Sequence, residues 1–405
     1  SPGQMQTFRR MTHGLNIAQI GPWPPPWGGI SVYVQRLSRQ LVQRGHRVTV
    51  WDTAGHSLDD ASGVRVRACP SSRRQSLDAA QAMAAASIHV AHLHLIGLPW
   101  KTVLPFALAC DAVGIPLVIS VHSYRDFDPA RSAKERALLR LAGARIAWAF
   151  ASGGHVADRL ARSGIPAARV EPVAPFVPPD VAEPLDARLP AALRTFIASH
   201  DPVISAGAAS LVSHPGGGDL YGFDTFVHLA NAVKQVHPNA GFVFQLPRRG
   251  DEALYATAMA AAGSLGDDLL VHDAALAEAS DLWAVSDLFV RPTLSDGDSV
   301  SVREALCLGT PTLASDAVAR PDGVHTYRAG DGGDAGRVAC ALLGDLARAR
   351  AAVADLEPPK AVAAVEAALL QAVSAQPVPT RAWRRLATAA VKTVAQLPTR
   401  GSSRT

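Results

Sequence analysis

Two carboxylates stand close together in the segment 295–314, which reads SDGDSVSVREALCLGTPTLA. Asp296 and Glu304 lie eight residues apart in it. The apolar residues before the segment predict a strand that ends at Arg291, and the pattern after it predicts a helix over 299–307. At 3.6 residues per turn, Asp296 lies in the loop before this helix and Glu304 lies two turns into it.

The start of this predicted helix is suited to binding an anion. The backbone N–H groups of residues 297–300 point out of the helix N-terminus, where the helix dipole favours negative charge. A diphosphate bound there, with hydroxyl groups reaching Asp296 on one side and Glu304 on the other, describes a nucleotide sugar. Asp296 and Asp298 are equally suited to capping the helix, which is the alternative for both.

A loop near the start of the chain, residues 21–29, is rich in proline, glycine and tryptophan. Gly28 and Gly29 directly precede a predicted helix, which makes them stronger candidates for a ligand loop than an isolated glycine pair. Trp23 and Trp27 have two interpretations. They form either a platform on which an acceptor sugar stacks or a rigid loop packed on the domain.

Histidines lie on two predicted strands of the same region. His89, His92 and His94 fall on one strand, and His122 ends another. No fourth metal ligand stands nearby in the sequence, so a core and cleft lining is favoured over a metal site. A histidine at the end of a buried strand is a candidate functional residue.

Strand and helix patterns alternate through two long parts of the chain, which predicts two doubly wound α/β domains. The predicted domains are 13–185 and 200–356, with a proline-rich linker between them and a helical segment over 357–405. Ligands of such folds bind at the carboxyl ends of the strands, so we expect the site in a cleft between the domains.

The charge of the chain is concentrated at one end. Lys and Arg number 39 and Asp and Glu 35, a net charge of +4. Beyond Glu366 there are six basic residues and no acidic ones, so the body carries 33 basic and 35 acidic residues, or −2. This excludes nucleic-acid binding by overall charge. The amphipathic helix predicted over 383–397 either crosses back onto the first domain or docks on an anionic membrane surface.

The cysteines and the hydropathy predict a cytoplasmic protein, peripheral on the inner membrane if the tail docks there. The four cysteines are far apart and lie in apolar contexts, which is typical of reduced, buried thiols. No apolar run approaches the roughly 18 residues of a membrane-spanning helix, and the N-terminus lacks the pattern of a signal peptide.

The segment 295–314 resembles the E-x7-E region of retaining GT-B glycosyltransferases, especially those of family 4. Asp296 stands in place of the first Glu, and Gly297, Glu304, Gly309 and Pro311 follow the pattern. Other parts resemble the family as well. They are the Gly28-Gly29 loop, the strand end at residues 92–94, the strand ending at His122, and the helix start at 221–226.

The resemblance implies a GT-B architecture, possessing two Rossmann-like domains that face across a cleft, and a retaining transfer of a sugar. The donor would be a nucleotide-diphosphate sugar and the acceptor a carbohydrate or lipid-linked glycan, as in bacterial surface polysaccharide synthesis. No metal or other cofactor is expected. His122 and Asp296 would act at the donor sugar, and Glu304 would hold the ribose. The other implied donor contacts are Gly28, Gly29, Gly297, Ser299 and Val300, and the acceptor-side candidates are Trp23, Trp27 and His94.

The sequence departs from the family at the diphosphate. An Arg and a Lys usually neutralise it, but the matching positions are in the stretch 206–210, which lacks a cation, and at Tyr221. Arg291, Arg248 or Arg249 are candidates to replace them. The alternative functions are a weak or inactive glycosyltransferase-like binding subunit and a nucleotide-sugar epimerase of the same fold.

Overall fold

The structure, a computed structural model, describes residues 14–25, 27–70, 75–123 and 132–375. The chain divides into two compact units. Unit 1 comprises Ser1–Val177 and Pro359–Thr405, and unit 2 comprises Pro178–Pro358. The first boundary falls inside the proline-rich stretch that was predicted as a linker. The helix predicted over 383–397 lies outside the described residues.

Unit 1 contains one eight-stranded sheet. Its strands are β1 (Asn16–Gly21), β2 (Arg47–Asp52), β3 (Leu58–Asp59), β4 (Arg65–Ala68), β5 (Val90–Ile96), β6 (Leu117–Ser123), β7 (Ile146–Ala151) and β8 (Val170–Pro172). They lie in the order β3-β4-β2-β1-β5-β6-β7-β8, and only β3 and β4 pair antiparallel. The strand order changes direction between β1 and β5, which makes the sheet doubly wound.

Helices cover both faces of this sheet. They are α1 (Gly29–Gln43), α2 (Gln75–Ala85), α3 (Trp100–Val113), α4 (Ala133–Gly143), α5 (Gly154–Arg162) and, after unit 2, α13 (Ala361–Ser374). Helices α2 to α5 share one buried apolar cluster with the sheet, and α1 and α13 share another. The central strands are therefore buried on both faces, which explains their continuous apolar runs.

Helix α13 returns to unit 1 after the chain has formed unit 2. Val365 and Leu369 are fully buried in the cluster that α1 also joins. Glu366 accepts from Arg44 at 2.9 Å and lies 2.9 Å from His46 Nε2, at the end of α1. Apolar burial and this polar anchor together fix the helix on unit 1.

Unit 2 contains a six-stranded parallel sheet. Its strands are β9 (Val203–Gly207), β10 (Gly241–Gln245), β11 (Leu269–His272), β12 (Leu288–Arg291), β13 (Thr312–Ser315) and β14 (Val324–Tyr327). They lie in the order β11-β10-β9-β12-β13-β14, so the direction changes between β9 and β12. The helices are α6 (Ala191–Ala198), α7 (Phe223–Val236), α8 (Glu252–Ala262), α9 (Ser280–Ala284), α10 (Val300–Cys307), α11 (Gly332–Gly344) and α12 (Leu346–Ala354).

The prediction of two doubly wound α/β domains is confirmed, and several elements differ from it. The strands β3, β4 and β14 and the helices α2 and α6 were not predicted. The apolar pattern of residues 335–355 predicts one helix, but the structure has two there, because Asp345 leaves the helical conformation (φ −138°, ψ 60°) and caps Arg348 of the second. An aspartate that caps a new helix start competes with continuation of the first helix.

All four cysteines are unpaired: Cys69 and Cys110 are buried, whereas Cys307 and Cys340 are only half-buried. None of the helices in the described part of the chain is both long and apolar enough to cross a bilayer.

Gly222 fixes the approach of α7 to the end of β12. It is the N-cap of α7 with a φ of +69°, and a Cβ there would lie 1.8 Å from the carbonyl oxygen of Pro292. Only glycine accepts both the left-handed conformation and this contact.

We expect Gly222→Ala to lower the free energy of unfolding by about 2 kcal/mol or more, because it adds backbone strain and a clash with main chain. Gly344→Ala is the matched control, since a Cβ there meets nothing within 4 Å. Urea unfolding followed by circular dichroism measures both. Equal midpoints for the two variants would show that Gly222 carries no such constraint.

Candidate functional site

Polar side chains stand where the strand order reverses in each sheet. In unit 1 this place lies between β1 and β5, and in unit 2 between β9 and β12. Ligands of doubly wound sheets bind at the carboxyl ends of the strands at such points. Each unit therefore has its own set of candidate site residues.

Arg291 occupies the reversal point of unit 2. It is the last residue of β12, and its Nη1 donates to the carbonyl oxygen of Gly207, at the end of β9, at 3.3 Å. Its Nε and Nη2 donate to the two carboxylate oxygens of Asp296, each at 3.1 Å. Its guanidinium carbon lies 5.3 Å from the ring centre of Tyr221. The guanidinium is thus held on three sides.

The carboxylate of Asp296 is shared between two arginines. Arg320 donates to Oδ2 at 2.8 Å, and the Thr293 hydroxyl and the Gly297 N–H donate at 3.2 and 3.0 Å. Burial alone would raise the pKa of Asp296, but the charges and hydrogen bonds of Arg291 and Arg320 lower it to about 2. Asp296 is therefore ionised at neutral pH, and both of its oxygens are already engaged.

Arg320 completes this cluster and was missed by the sequence reasoning. It lies in the loop after β13, where it also donates to the Ser315 carbonyl at 2.9 Å and to the Ser315 hydroxyl at 3.1 Å. Its side chain is 3% exposed, compared with 13% for Arg291. Arg291, Asp296 and Arg320 form what we call the Arg-Asp-Arg cluster, which has a net charge of +1.

Glu304 lies on α10 below the same strand ends. It is 5% exposed, and its Oε2 accepts from the indole N–H of Trp283 at 3.1 Å. Trp283 also packs closely against the end of β9: a Cβ added to Gly207 would lie only 3.0 Å from its ring. The buried carboxylate of Glu304 is thereby oriented by a tryptophan that the sequence reasoning did not select.

The N-terminus of α10 follows Asp296 of the Arg-Asp-Arg cluster by four residues. Ser299 is its N-cap residue and makes no side-chain cap hydrogen bond, so the predicted capping role goes to neither Asp296 nor Asp298. Asp298 instead accepts from Arg303 at 2.6 Å. The predicted contacts of the Gly297, Ser299 and Val300 N–H groups with a phosphate stay predictions, although Gly297 already donates to Asp296.

The three arginines considered as replacement cations are placed differently. Arg291 is half-buried at the strand reversal, whereas Arg248 and Arg249 are exposed in the loop after β10. Arg249 lies 4.7 Å from the ring centre of Tyr255. Of the three, Arg291 combines low exposure with a position between the ends of β9 and β12.

In unit 1, three histidines meet at the ends of β5 and β6; we call His92, His94 and His122 the histidine cluster. His94 Nδ1 lies 3.0 Å from His122 Nε2, and His94 Nε2 lies 2.6 Å from Gln19 Oε1. His92 Nε2 lies 2.7 Å from the hydroxyl of Ser120. Both nitrogens of His94 are therefore engaged inside the protein, which leaves it without a free nitrogen for an acceptor.

Burial keeps the histidine cluster uncharged. It lowers the pKa of His92 to about 3, with a smaller effect of His122, and lowers the pKa of His122 to about 4. Burial and the neighbouring histidines hold the pKa of His94 well below its usual range. Across the described ranges, no three His, Cys, Asp or Glu side chains are grouped so as to hold a metal ion.

The loop before α1 is partly packed. Trp23 is 2% exposed and belongs to the apolar cluster of α1, and its backbone N–H donates to Asp52 at 2.7 Å. The idea that Trp23 is an exposed stacking platform is therefore wrong; its ring fills the core. Trp27 is half-buried, and Gly28 and Gly29 are exposed at the start of α1.

A family model matches part of the chain. Residues 27–181 match the model described as Glycosyltransferase Family 4, a span of less than half of the chain that lies almost entirely in unit 1. No curated protein matches the chain by sequence.

Solved structures share the fold over most of the chain. HepE of Anabaena in complex with UDP is 13% identical with a TM-score of 0.57, covering 94% of this chain and 100% of its own. The catalytic domain of starch synthase IV of Arabidopsis thaliana, bound to ADP and acarbose, is 13% identical with a TM-score of 0.64, covering 89% and 100%. A protein of Listeria monocytogenes described as a UDP-N-acetylglucosamine 2-epimerase is 14% identical with a TM-score of 0.57, covering 90% and 98%. The predicted GT-B fold is thereby confirmed.

The ion pairs of Asp296 should be visible in the pH dependence of stability. A carboxyl whose pKa falls from its usual 3.8 to about 2 on folding stabilises the protein above pH 4. That contribution, about 2–3 kcal/mol, is lost as the pH falls through 2. We expect Asp296→Asn to be less stable at pH 7, and the difference from the unchanged chain to shrink between pH 4 and 2.

Asp267→Asn is the control for this measurement, since Asp267 is exposed on the same unit. Urea midpoints measured from pH 7 downward by circular dichroism give the comparison. A constant difference at all pH values would contradict an ionised Asp296 paired with arginine.

Proposed function

We propose that the protein is a retaining glycosyltransferase that moves a sugar from a nucleotide-diphosphate sugar to a carbohydrate or lipid-linked glycan. The observation that carries this proposal is Arg291 at the strand reversal of unit 2, held by Asp296 and followed in the chain by α10 with Glu304. The family match over residues 27–181 and the GT-B fold support it. Bacterial surface polysaccharide synthesis is the proposed setting, by analogy with the family.

The residues of unit 2 suit the two ends of a nucleoside diphosphate. Arg291 presents a cation that Asp296 and Arg320 leave with a net positive charge. The N-terminus of α10 adds backbone N–H groups and the positive end of the helix dipole. Glu304 offers carboxylate oxygens to ribose hydroxyls from a fixed orientation against Trp283.

In the proposed reaction the bond between the anomeric carbon and the diphosphate oxygen breaks. A new bond to the acceptor hydroxyl oxygen forms on the same face of the sugar. The acceptor proton passes to the departing phosphate, and the negative charge that develops there is stabilised by Arg291 and the α10 N–H groups. His122 of unit 1 is proposed to contact the donor sugar, and Asp296 to position Arg291 rather than to act on the sugar.

Two other functions remain as outcomes of the test. An epimerase of this fold is favoured by the likeness to the Listeria monocytogenes structure. A binding subunit without activity is favoured by the absence of the usual Arg and Lys at residues 206–210 and Tyr221. The cation of Arg291 argues against the second, because a positive charge at the end of β12 would suit a diphosphate.

Nucleotide binding tests the site. We expect one of UDP, GDP, ADP or dTDP to bind, and Arg291→Met to weaken its binding about 10- to 100-fold through loss of charged hydrogen bonds. Binding of the corresponding nucleoside should change little in Arg291→Met. Glu304→Ala should weaken nucleoside and diphosphate alike, since it removes the ribose contact. Isothermal titration calorimetry measures all of these.

Arg337→Met is the control, because Arg337 is an exposed arginine on α11 of the same unit. Circular dichroism verifies that each variant is folded. If no nucleotide binds, both enzyme functions are excluded. If a donor sugar panel gives an isomerised nucleotide sugar and no transfer, the epimerase is the correct function. Normal binding by Glu304→Ala would place the ribose elsewhere.

The basic residues beyond Glu366 generate a separate prediction. Six cations without an acidic residue should attract an anionic lipid surface, at about 1 kcal/mol for each residue near it. We expect deletion from Pro379 onward to reduce co-sedimentation with vesicles containing phosphatidylglycerol, and to leave nucleotide binding unchanged. Neutral phosphatidylcholine vesicles are the control. Unchanged sedimentation of the shortened chain with anionic vesicles would exclude membrane docking by this segment.

A further inference from the structure

A chain of hydrogen-bonded side chains crosses the strand reversal of unit 1. It runs from Gln19 on β1 to His94 on β5 and then to His122 on β6. We propose that Gln19 and His94 are positioning residues that hold His122 in a single neutral tautomer, with the proton on Nε2 and a hydrogen-bond-accepting Nδ1. The ligand that His122 contacts rests on the proposed function, whereas the assignment of the tautomer is independent of it.

The donors and acceptors along this chain follow from one another. Gln19 Oε1 is a carbonyl oxygen and can only accept, so the His94 Nε2 that lies 2.6 Å away carries a proton. A neutral His94 then has an unprotonated Nδ1, which accepts at 3.0 Å from Nε2 of His122. His122 is left with an unprotonated Nδ1, and no partner for that atom is found among the described residues.

The orientation of the Gln19 amide decides the whole arrangement. If its nitrogen faced His94, His94 would accept at Nε2 and donate from Nδ1, and His122 would carry its proton on Nδ1. The separation of 2.6 Å is that of a short N–H···O hydrogen bond, whereas the hydrogen bond between two nitrogens in the same cluster, from His122 to His94, is longer at 3.0 Å. The orientation of the Gln19 amide thus determines which ring nitrogen of His122 carries the proton.

Packing holds the three groups in place and keeps the rings neutral. The ring of Tyr33 lies edge-on to His122 and His94, with centroid distances of 4.9 and 5.8 Å. His92 packs on His94 with ring centres 4.2 Å apart. Burial keeps the pKa of His122 near 4, so an imidazolium with two donors does not form at neutral pH.

An accepting Nδ1 has a definite chemical preference. It can receive a hydrogen bond from a hydroxyl group, while it repels the lone pairs of phosphate oxygens. The opposite tautomer would favour phosphate or carbonyl oxygens instead. The group that His122 recognises is therefore a hydrogen-bond donor, which on the proposed function is a hydroxyl of a sugar.

The tautomer can be observed directly in the full chain labelled with nitrogen-15 histidine. Long-range proton–nitrogen correlation spectra recorded above neutral pH separate protonated from unprotonated ring nitrogens. Spectra of His94→Asn and His122→Asn identify the signals of these two rings by their disappearance. We expect Nε2 protonated and Nδ1 unprotonated for both rings in the unchanged chain.

Variants at Gln19 test what fixes this state. Gln19→Met keeps the length of the side chain and removes both polar atoms, so His94 and His122 should become mixtures of tautomers. Gln19→Glu keeps an accepting oxygen and should preserve the original tautomer. Gln35→Met is the matched control, because Gln35 is another buried glutamine of unit 1, 6% exposed, without a hydrogen bond to the cluster.

Two results would overturn the proposal: a proton on Nδ1 of His122 in the unchanged chain, or a Gln19→Met spectrum with unchanged tautomers. Should Gln19→Met fail to fold, Gln19→Glu still decides. If the amide nitrogen faced His94, the carboxylate would reverse the tautomer of the unchanged chain instead of preserving it.

Kinetics separate this inference from the proposed function. With a transferring donor in hand, Gln19→Met should lower kcat about fivefold, the effect of one hydrogen bond, with the Kd of the nucleotide diphosphate unchanged. Gln19→Glu should restore kcat. A fivefold rise in the Kd, matching the fall in kcat, would contradict a positioning role. If no donor is transferred at all, the proposed function fails while the spectra still establish or reject the tautomer.

Discussion

The ion pair between Arg291 and Asp296 is the constraint on which the candidate site of unit 2 depends. A guanidinium at the end of a central strand is largely withdrawn from water, and without a counter-ion its burial would be costly. Asp296 supplies that counter-ion through two parallel hydrogen bonds. The second cation, Arg320, also pairs with Asp296, so the cluster of three residues keeps a net positive charge. These contacts hold the conformation of the loop between β12 and α10.

The reversal points of the two sheets use different chemistry. In unit 2 the Arg-Asp-Arg cluster is charged and sums to +1, which suits an anion. In unit 1 the corresponding groups are an amide, three imidazoles and a hydroxyl, and burial keeps the imidazoles neutral. An uncharged cluster binds through the direction of its hydrogen bonds and not through charge. Along Gln19, His94 and His122, each hydrogen bond determines which nitrogen of the next ring carries the proton. The same fold therefore offers an electrostatic site in one unit and a polar, oriented one in the other.

Most of the architecture was predictable from the sequence because buried parallel strands and amphipathic helices have strong apolar patterns. The elements that were missed have weak ones. β4 is four residues of alternating Arg and apolar residues, and β14 is an edge strand of four. Candidate residues such as Arg291 and Glu304 were found because they stand at strand ends or in a motif. The contacts of Tyr221 with Arg291, of Arg320 with Asp296 and of Trp283 with Glu304 were not predicted, since these partners lie far apart in sequence and only the fold brings them together.

The departures from the family pattern become consistent once these contacts are considered together. Where the family has a lysine, Tyr221 has no charge, but its ring face supports the guanidinium of Arg291. Where the family has a glutamate, Asp296 is one methylene shorter, and its carboxylate meets the arginine five residues earlier. In this chain the cation stands at the end of β12, whereas the pattern that the sequence resembles has its cations in the loop after β9. A tyrosine and an aspartate at those two positions are consistent with each other, because both contact Arg291.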